Sequence, residues 1–327
     1  METAQRPQRQ PARTVDSLDL ANLERGRSHN LLVRLVQNGV GRNVRLPVMV
    51  VHGAEEGPVL GLTAAVHGNE LNGIPIIHKL MATLEPEGLT GTVVAVPVVN
   101  LPGYLDNSRR YRDGQDLNRV MPGKEPGSES ELYAHRFMTR VVHCFDYLVD
   151  LHTASFGRAN SLYVRVDLGQ PVAARLAHCI GAQIIVHNEG ADGTLRSAAS
   201  DLGIHAITVE VGDPNRFQRG LIRSSRLGLL NVLQELGMIE VAADEFEDDA
   251  VVCARSYWLY TDVGGVLEVF PRVASFVETG EIVARVTDTF GEVVRKYTAP
   301  EGGIVVGKSS NPVAHGGSRI LHLGIPV

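Results

Sequence analysis

The stretch Leu60-Gly-Leu-Thr-Ala-Ala-Val66 runs directly into His67-Gly-Asn-Glu70. An apolar run of this length, closed by a turn, reads as an inner strand of a mostly parallel sheet covered on both faces. Gly73 to Leu84 follows with apolar residues at helical spacing. The segment is therefore strand, turn and helix, with the polar pair in the turn. Two later runs have the same form. Tyr147-Leu-Val-Asp-Leu151 delivers His152, and Ile204-His-Ala-Ile-Thr-Val209 delivers Glu210. Open α/β sheets bind ligands beyond the carboxyl ends of their strands. Two imidazoles and two carboxylates brought there suggest a metal site with a general base.

Outward from these runs, strand and helix alternate. Leu31 to His52 reads as two strands joined at Asn38-Gly39 and Gly41, and Thr92 to Val99 as a further strand. Ser130 to Phe145, Gln170 to Ile180, Gly193 to Gly203 and Gly220 to Gly237 contain helices, with a short strand at Gln183 to His187. This alternation predicts a doubly wound α/β structure, a mostly parallel sheet with helices on both faces. Glu240 to Asp249 is acidic and reads as a linker. Beyond it, short β-prone runs are broken by pairs such as Gly264-Gly265 and Gly302-Gly303, the pattern of a small all-β unit. The expected division is a disordered tail over residues 1–20, an α/β domain over 21–240, a linker over 241–250 and a β-barrel-like domain over 251–327.

The 327 residues suffice for two domains. A net charge of −6 leaves no basic footprint for nucleic acid, although a locally positive pocket is compatible with it. No apolar stretch approaches the roughly 18–20 residues needed to span a bilayer. The amino-terminal tail lacks the apolar core of a secretory signal. Three widely spaced cysteines, Cys144, Cys179 and Cys253, argue against a disulfide framework. A cytoplasmic protein is expected.

His67-x-x-Glu70 with His152 is a set of two histidines and one glutamate. It leaves a coordination position open for water, as in catalytic zinc sites. The tetrapeptide alone arises often by chance, and a loop histidine before a glutamate favoured by the helix dipole would look the same. The second strand-terminal histidine weighs toward a metal. Glu210 interrupts an apolar strand, which is costly without a partner. It reads either as a structural glutamate paired with an arginine or as a general base. Asp150 lies two residues before His152 and points to the same side, placed to orient a ligand or to cap a structural network. His78, His135 and His178 fall within helices and read as surface or packing residues.

Residues 101–130 are rich in Pro, Gly and Arg. A loop this long inside a domain is usually functional or disordered. It carries Arg109, Arg110, Arg112, Asp116, Asn118 and Arg119, and arginine suits bidentate capture of a carboxylate or stabilisation of an oxyanion.

In this order and spacing, His67-Gly-Asn-Glu70, Asp116-Leu-Asn-Arg119, Asp150-Leu-His-Thr153 and Thr208-Val-Glu-Val-Gly212 resemble the succinylglutamate desuccinylase/aspartoacylase family. These are zinc amidohydrolases similar in fold to metallocarboxypeptidases. The resemblance covers nearly the whole chain after the tail. It implies a three-layer, metallocarboxypeptidase-like mixed sheet and one zinc ion per subunit on His67, Glu70 and His152. It also implies Glu210 as general base, and Asn118 and Arg119 on the substrate carboxylate, with Asp116 and Arg109 beside them. The family's oxyanion-stabilising arginine maps onto Arg110, with Arg109 and Arg112 as alternatives. Phe156-Gly-Arg158-Ala-Asn160 looks like a broad bacterial branch, and Tyr163 and Arg165 follow on a strand that can line the pocket.

The C-terminal residues resemble the lipoyl and biotinyl barrel-sandwich. The turn that carries the modified lysine in carrier domains reads Thr287-Asp-Thr-Phe-Gly291 here, with Lys296 further along on the returning strand. The resemblance then implies a structural role, narrowing the site mouth or supporting a homo-oligomer, rather than a carrier role. The expected function is zinc-dependent hydrolysis of a small, anionic N-acyl amino acid. A metallocarboxypeptidase acting on short peptides shares ligands and base. A catalytically silent binding module is the rival from another class.

Overall fold

The computed structural model describes residues 11–240 and 249–327. The first part contains β1 (Arg13–Val15), β2 (Arg27–Gln37), β3 (Asn43–His52), β4 (Glu55–Ala64), α1 (Gly73–Met81), β5 (Thr90–Val96), α2 (Leu101–Leu105), α3 (Glu129–Arg140), β6 (Tyr147–His152), β7 (Arg158–Asn160), β8 (Leu162–Val166), α4 (Pro171–Cys179), β9 (Ile184–His187), α5 (Leu195–Asp201), β10 (His205–Val211) and α6 (Arg219–Glu235). The second contains β11 (Val251–Tyr260), β12 (Gly265–Val269), β13 (Phe276–Val277), β14 (Ile282–Thr287), β15 (Val293–Thr298), β16 (Gly303–Ser309), β17 (Val313–Ala314) and β18 (Arg319–Pro326).

The hairpin of β2 and β3 turns where the sequence predicts. The Asn38 side chain accepts from the amides of Val40 and Arg42, an Asx turn. The sheet then runs β1-β2-β3-β5-β4-β6-β10-β8-β9. Strands β5, β4, β6 and β10 are mutually parallel, and β8 lies antiparallel to β10, so the sheet is mixed. Successive residues of the central strands face opposite cores. Leu148 joins Tyr133 and Phe137 of α3 and Ala198 of α5, while Val149 joins Ile76 and Leu80 of α1, Leu176 of α4 and Leu233 of α6. Burial on both faces is why these strands read as unbroken apolar runs.

Two expectations about boundaries change. Residues 11–20, assigned to the tail, are partly in the sheet: Arg13–Val15 pair with Leu31–Val33, and Leu18 is buried. A tail with Val15 and Leu18 has enough apolar surface to dock. The all-β region also continues the main sheet, because β11 pairs in parallel with β9 and is followed by β18, β16 and β13. A second sheet, β15-β14-β12-β17, packs over it through Leu267, Val283, Val286, Leu321 and Leu323. The Thr287–Gly291 segment is a hairpin turn in which Asp288 accepts from Phe290 and Glu292, and Lys296 sits on the returning strand β15. Residues 1–10 and 241–248, the rest of the expected tail and most of the linker, lie outside the described residues.

Candidate metal centre

The carboxyl ends of β4, β6 and β10 meet at one point. His152 ends β6, and Glu210 on β10 stands directly beside it in the parallel register. His67 and Glu70 occupy the turn after β4, closed by the Glu70 amide donating to the His67 carbonyl. Gly68 is required there by a close approach: a Cβ would lie 2.0 Å from the Gly103 carbonyl carbon. Its absence lets the arginine-rich loop close over the turn.

One ligand atom each from His67, Glu70 and His152 fall within 4.8 Å of one another, and all three residues are buried. Both imidazoles turn Nδ1 toward Glu70, at 2.9 Å for His67 and 3.0 Å for His152. Their Nε2 atoms are held from behind by Asp116 (3.0 Å) and Asp150 (2.7 Å). Asp150 is fixed in turn by the Thr63 hydroxyl at 2.6 Å. Carboxylates behind ligating imidazoles fix tautomer and ring orientation. The His67 Nδ1 atom is buried and has no hydrogen-bond partner in the described structure despite facing Glu70. Two inward imidazole nitrogens and a carboxylate, one nitrogen orphaned, fit a divalent cation such as zinc.

The electrostatics agree. Burial acts to raise the Glu70 pKa, yet the two imidazoles override it and hold the carboxyl well below its usual range. Asp116 is likewise held low, burial being outweighed by His67 and Arg109. Burial acts against protonated His152, but Asp150 and Glu70 raise its pKa well above normal. The ligand cluster itself thus favours positive charge. Glu210 behaves oppositely: burial raises its pKa, with Glu70 adding and Arg165 and the histidines opposing.

His67, Glu70, His152 and Glu210 line a cavity of about 210 Å³. Arg109 reaches Glu70 (2.8 Å) and the Ser155 hydroxyl (2.6 Å) and makes two hydrogen bonds to Asp116 Oδ2 (3.1 and 2.9 Å). Arg110, mapped onto the oxyanion-stabilising position, is exposed, donates to the Gly114 carbonyl, and does not line the cavity. Arg112 pairs with Glu129 away from it. Consecutive loop residues point in different directions, so a shift of one residue exchanges site for solvent. Asp116, expected beside the substrate, does not line the cavity: its carboxylate serves His67, Arg109 and the Asn118 amide. Asn118 and Arg119 do line it. The Asn118 side-chain oxygen accepts from the Leu195 amide at 2.7 Å, and Arg119 donates to the Asn118 carbonyl.

Arg158, Asn160, Tyr163 and Arg165 also line the cavity. Among the lining residues that escape the sequence reading are Arg196, Asn188 and Trp258. Arg196, buried on α5, donates to the Asn188 carbonyl and side chain. A buried arginine inside a short helix has no local signature. Trp258 is the only tryptophan and comes from β11, beyond the linker. Its ring stacks on His322 at 5.0 Å, and the guanidiniums of Arg158 and Arg319 lie against it. Burial, and then Arg165, Arg158 and Arg319, push the His322 pKa down to about 3, so that imidazole is neutral.

A mixed α/β sheet with a buried His–Glu–His set at its strand ends defines a protein built around a candidate metal centre. The family model of the succinylglutamate desuccinylase/aspartoacylase catalytic domain matches residues 56–236, and the chain belongs to this family. Over 280 residues it is 28% identical to the N-alpha-acetyl-L-2,4-diaminobutyric acid deacetylase of Halomonas elongata, covering 81% of each chain. It is 27% identical over 219 residues to the succinylglutamate desuccinylase of Pseudomonas paraeruginosa, covering 63% of this chain and 64% of that one. The product-bound structure of the ectoine utilization protein EutE (DoeB) from Ruegeria pomeroyi superposes with a TM-score of 0.84 at 22% identity, over 93% of this chain and 97% of that one. No helix among the described residues is long and apolar enough to cross a membrane.

Proposed function

We propose that the chain is a zinc-dependent deacylase that hydrolyses the amide bond of a small N-acyl amino acid carrying more than one carboxylate. The observation that carries this reading is one cavity holding His67, Glu70 and His152, the adjacent Glu210, and arginines without acidic partners. Of its five arginines, Arg109 faces Glu70 and Asp116, and Arg165 faces Glu210. Arg119, Arg158 and Arg196 form no ion pair among the described residues. Charge left uncompensated in a partly buried cavity favours an anionic occupant. The names of the two curated relatives, a deacetylase and a desuccinylase, support the reaction class.

A zinc ion held by His67, Glu70 and His152 would polarise the carbonyl and acidify water. Glu210 takes the proton from the attacking water and returns it to the departing amine, a role suited to a carboxyl whose pKa burial has raised. Arg109, held rigid by Asp116, donates to the oxygen on which negative charge develops. Asn118, Arg119, Arg158 and Arg196 hold the substrate carboxylates. Asp150 and Asp116 keep the two imidazoles aimed. A cytoplasmic location, one zinc per subunit and a homo-oligomer complete the reading.

The test is metal analysis of the purified protein, with product detection over a panel of N-acetyl and N-succinyl amino acids beside short peptides. About one zinc per chain and turnover of dianionic N-acyl amino acids are expected. Preferred release of a C-terminal residue from peptides would move the assignment to a carboxypeptidase. A protein that takes up no metal and hydrolyses nothing is a binding module.

A further inference from the structure

We infer that Asn160 is a positioning residue for Glu210, and that strand β16 of the C-terminal region holds Asn160 in place; this rests on the deacylase reading above. The short strand β7 is not part of the main run of the sheet. Among the described residues it pairs with β16 alone, in the antiparallel register Gly307–Asn160, Lys308–Ala159 and Ser309–Arg158. Both flanks are tied to the same region. The Ser161 amide and hydroxyl donate to the Val306 carbonyl at 3.1 and 3.0 Å, and the Ser310 amide donates to the Gly157 carbonyl at 2.9 Å.

From this splinted strand, the buried Asn160 side chain donates through Nδ2 to Glu210 Oε2 at 3.2 Å. The other carboxylate oxygen, Oε1, faces Arg165 Nε at 3.4 Å. Holding one oxygen from each side fixes the plane of a carboxyl that would otherwise turn about three side-chain bonds. A general base needs that, because proton transfer depends on geometry within hydrogen-bond reach.

Gly307 is the contact that lets β16 do this. A Cβ there would lie 2.4 Å from Asn160 Oδ1 and 3.0 Å from the Ala159 carbonyl oxygen. A side chain at 307 would force the Asn160 amide out of the position in which it meets Glu210. The C-terminal region therefore reaches the reaction through Asn160, besides lining the cavity with Trp258.

The test uses the full-length, zinc-loaded protein and a substrate found in the panel above. The variants are Asn160→Ala, Gly307→Ala, their combination, and Asn160→Ala combined with Glu210→Gln. Metal content and melting temperature are followed alongside kcat and KM. A lost hydrogen bond to a charged group predicts a fall of about 10- to 100-fold in kcat for Asn160→Ala, with KM within about twofold. Gly307→Ala should match that loss. It should add less than about twofold once Asn160 is already alanine, because the closest atom it strikes, Asn160 Oδ1, is gone and only the 3.0 Å approach to the Ala159 carbonyl remains. In the Glu210→Gln background, Asn160→Ala should also cost less than about twofold, since it acts through the carboxylate. Unchanged kcat in Asn160→Ala overturns the inference, and so does a full loss that persists in the Glu210→Gln background. If Gly307→Ala has no melting transition, the cycle between Asn160 and Glu210 decides alone. A zinc-loaded wild type that hydrolyses no panel member overturns the deacylase reading, and this inference with it. An active wild type with an unaffected Asn160→Ala overturns the inference only.

Discussion

Glu210 and His152 are register partners on adjacent parallel strands, so the proposed base and a proposed metal ligand share one backbone frame. Neither side chain depends on a loop for its position. Rigid strands hold a constellation more tightly than loops do. This pairing makes the first expectation sharp. Glu210→Gln keeps shape and burial but cannot accept a proton. It should retain full zinc and lose about 10²- to 10⁴-fold in kcat, measured by single-substrate kinetics beside metal analysis. Near-normal turnover would remove Glu210 as the base.

Arg109 and Arg110 separate in the same way. Arg109→Ala should lower kcat by about 10²- to 10³-fold, the range for removing one oxyanion donor. Arg110→Ala, on an exposed side chain bonded only to its own loop, should stay within about twofold. Reversed results would restore the position that sequence resemblance favoured.

Metal binding should depend on pH with a definite sign. In the metal-free protein the pKa of His152 is raised, so zinc must displace a proton, and affinity should fall as pH falls. Stability of the chelated protein follows the linkage rule. A raised folded pKa contributes stability that is fully present below the unfolded value of about 6.5 and is lost as pH rises through the folded value. Glu70 and Asp116, held low, contribute stability present above about 4.3 and 3.9 and lost as pH falls through their folded values. Melting of chelated protein should therefore be highest at mildly acid to neutral pH and decline on both sides. A metal-free melting temperature that rises steadily into the alkaline range would contradict the charge assignment.

Arg119 and Arg196 are assigned to substrate carboxylates. Arg119→Ala and Arg196→Ala should each raise KM about 10- to 100-fold, with a smaller effect on kcat, for a substrate bearing two carboxylates. A substrate with a single carboxylate should feel at most one of the two changes. Equal, small effects of both variants on both substrates would rule out the polyanion reading.

Trp258 is the part of the wall that β11 brings over the cavity. Trp258→Ala should enlarge the site and lose apolar contact, raising KM for the best N-acyl amino acid several-fold. It should also improve the relative rate on bulkier acyl groups or dipeptides. Competition assays between a small and a large substrate measure the ratio, and an unchanged ratio would place the ring outside the substrate's reach.

Much of this was legible in the chain, and the reason is local. A strand buried on both faces must be apolar, so polar residues at its end stand out, and His67, Glu70, His152 and Glu210 were all found that way. Hairpin chemistry at Asn38 and helical spacing after Gly73 are equally short-range. Residues 11–20 read as tail because a single pair of apolar residues, Val15 and Leu18, is too weak a pattern to mark docking.

The rest depended on contacts between distant segments. Which of two adjacent arginines enters the site is set by how the loop is pinned through Asp116 and Gly68, not by residue type. Arg196 and Trp258 reach the cavity from a short helix and from beyond the linker. Asn160 meets Gly307 only because β16 folds back on β7. Periodicity and strand-end polarity are written along the chain, whereas side-chain direction in loops and pairing between remote strands arise only when the sheet closes around its core.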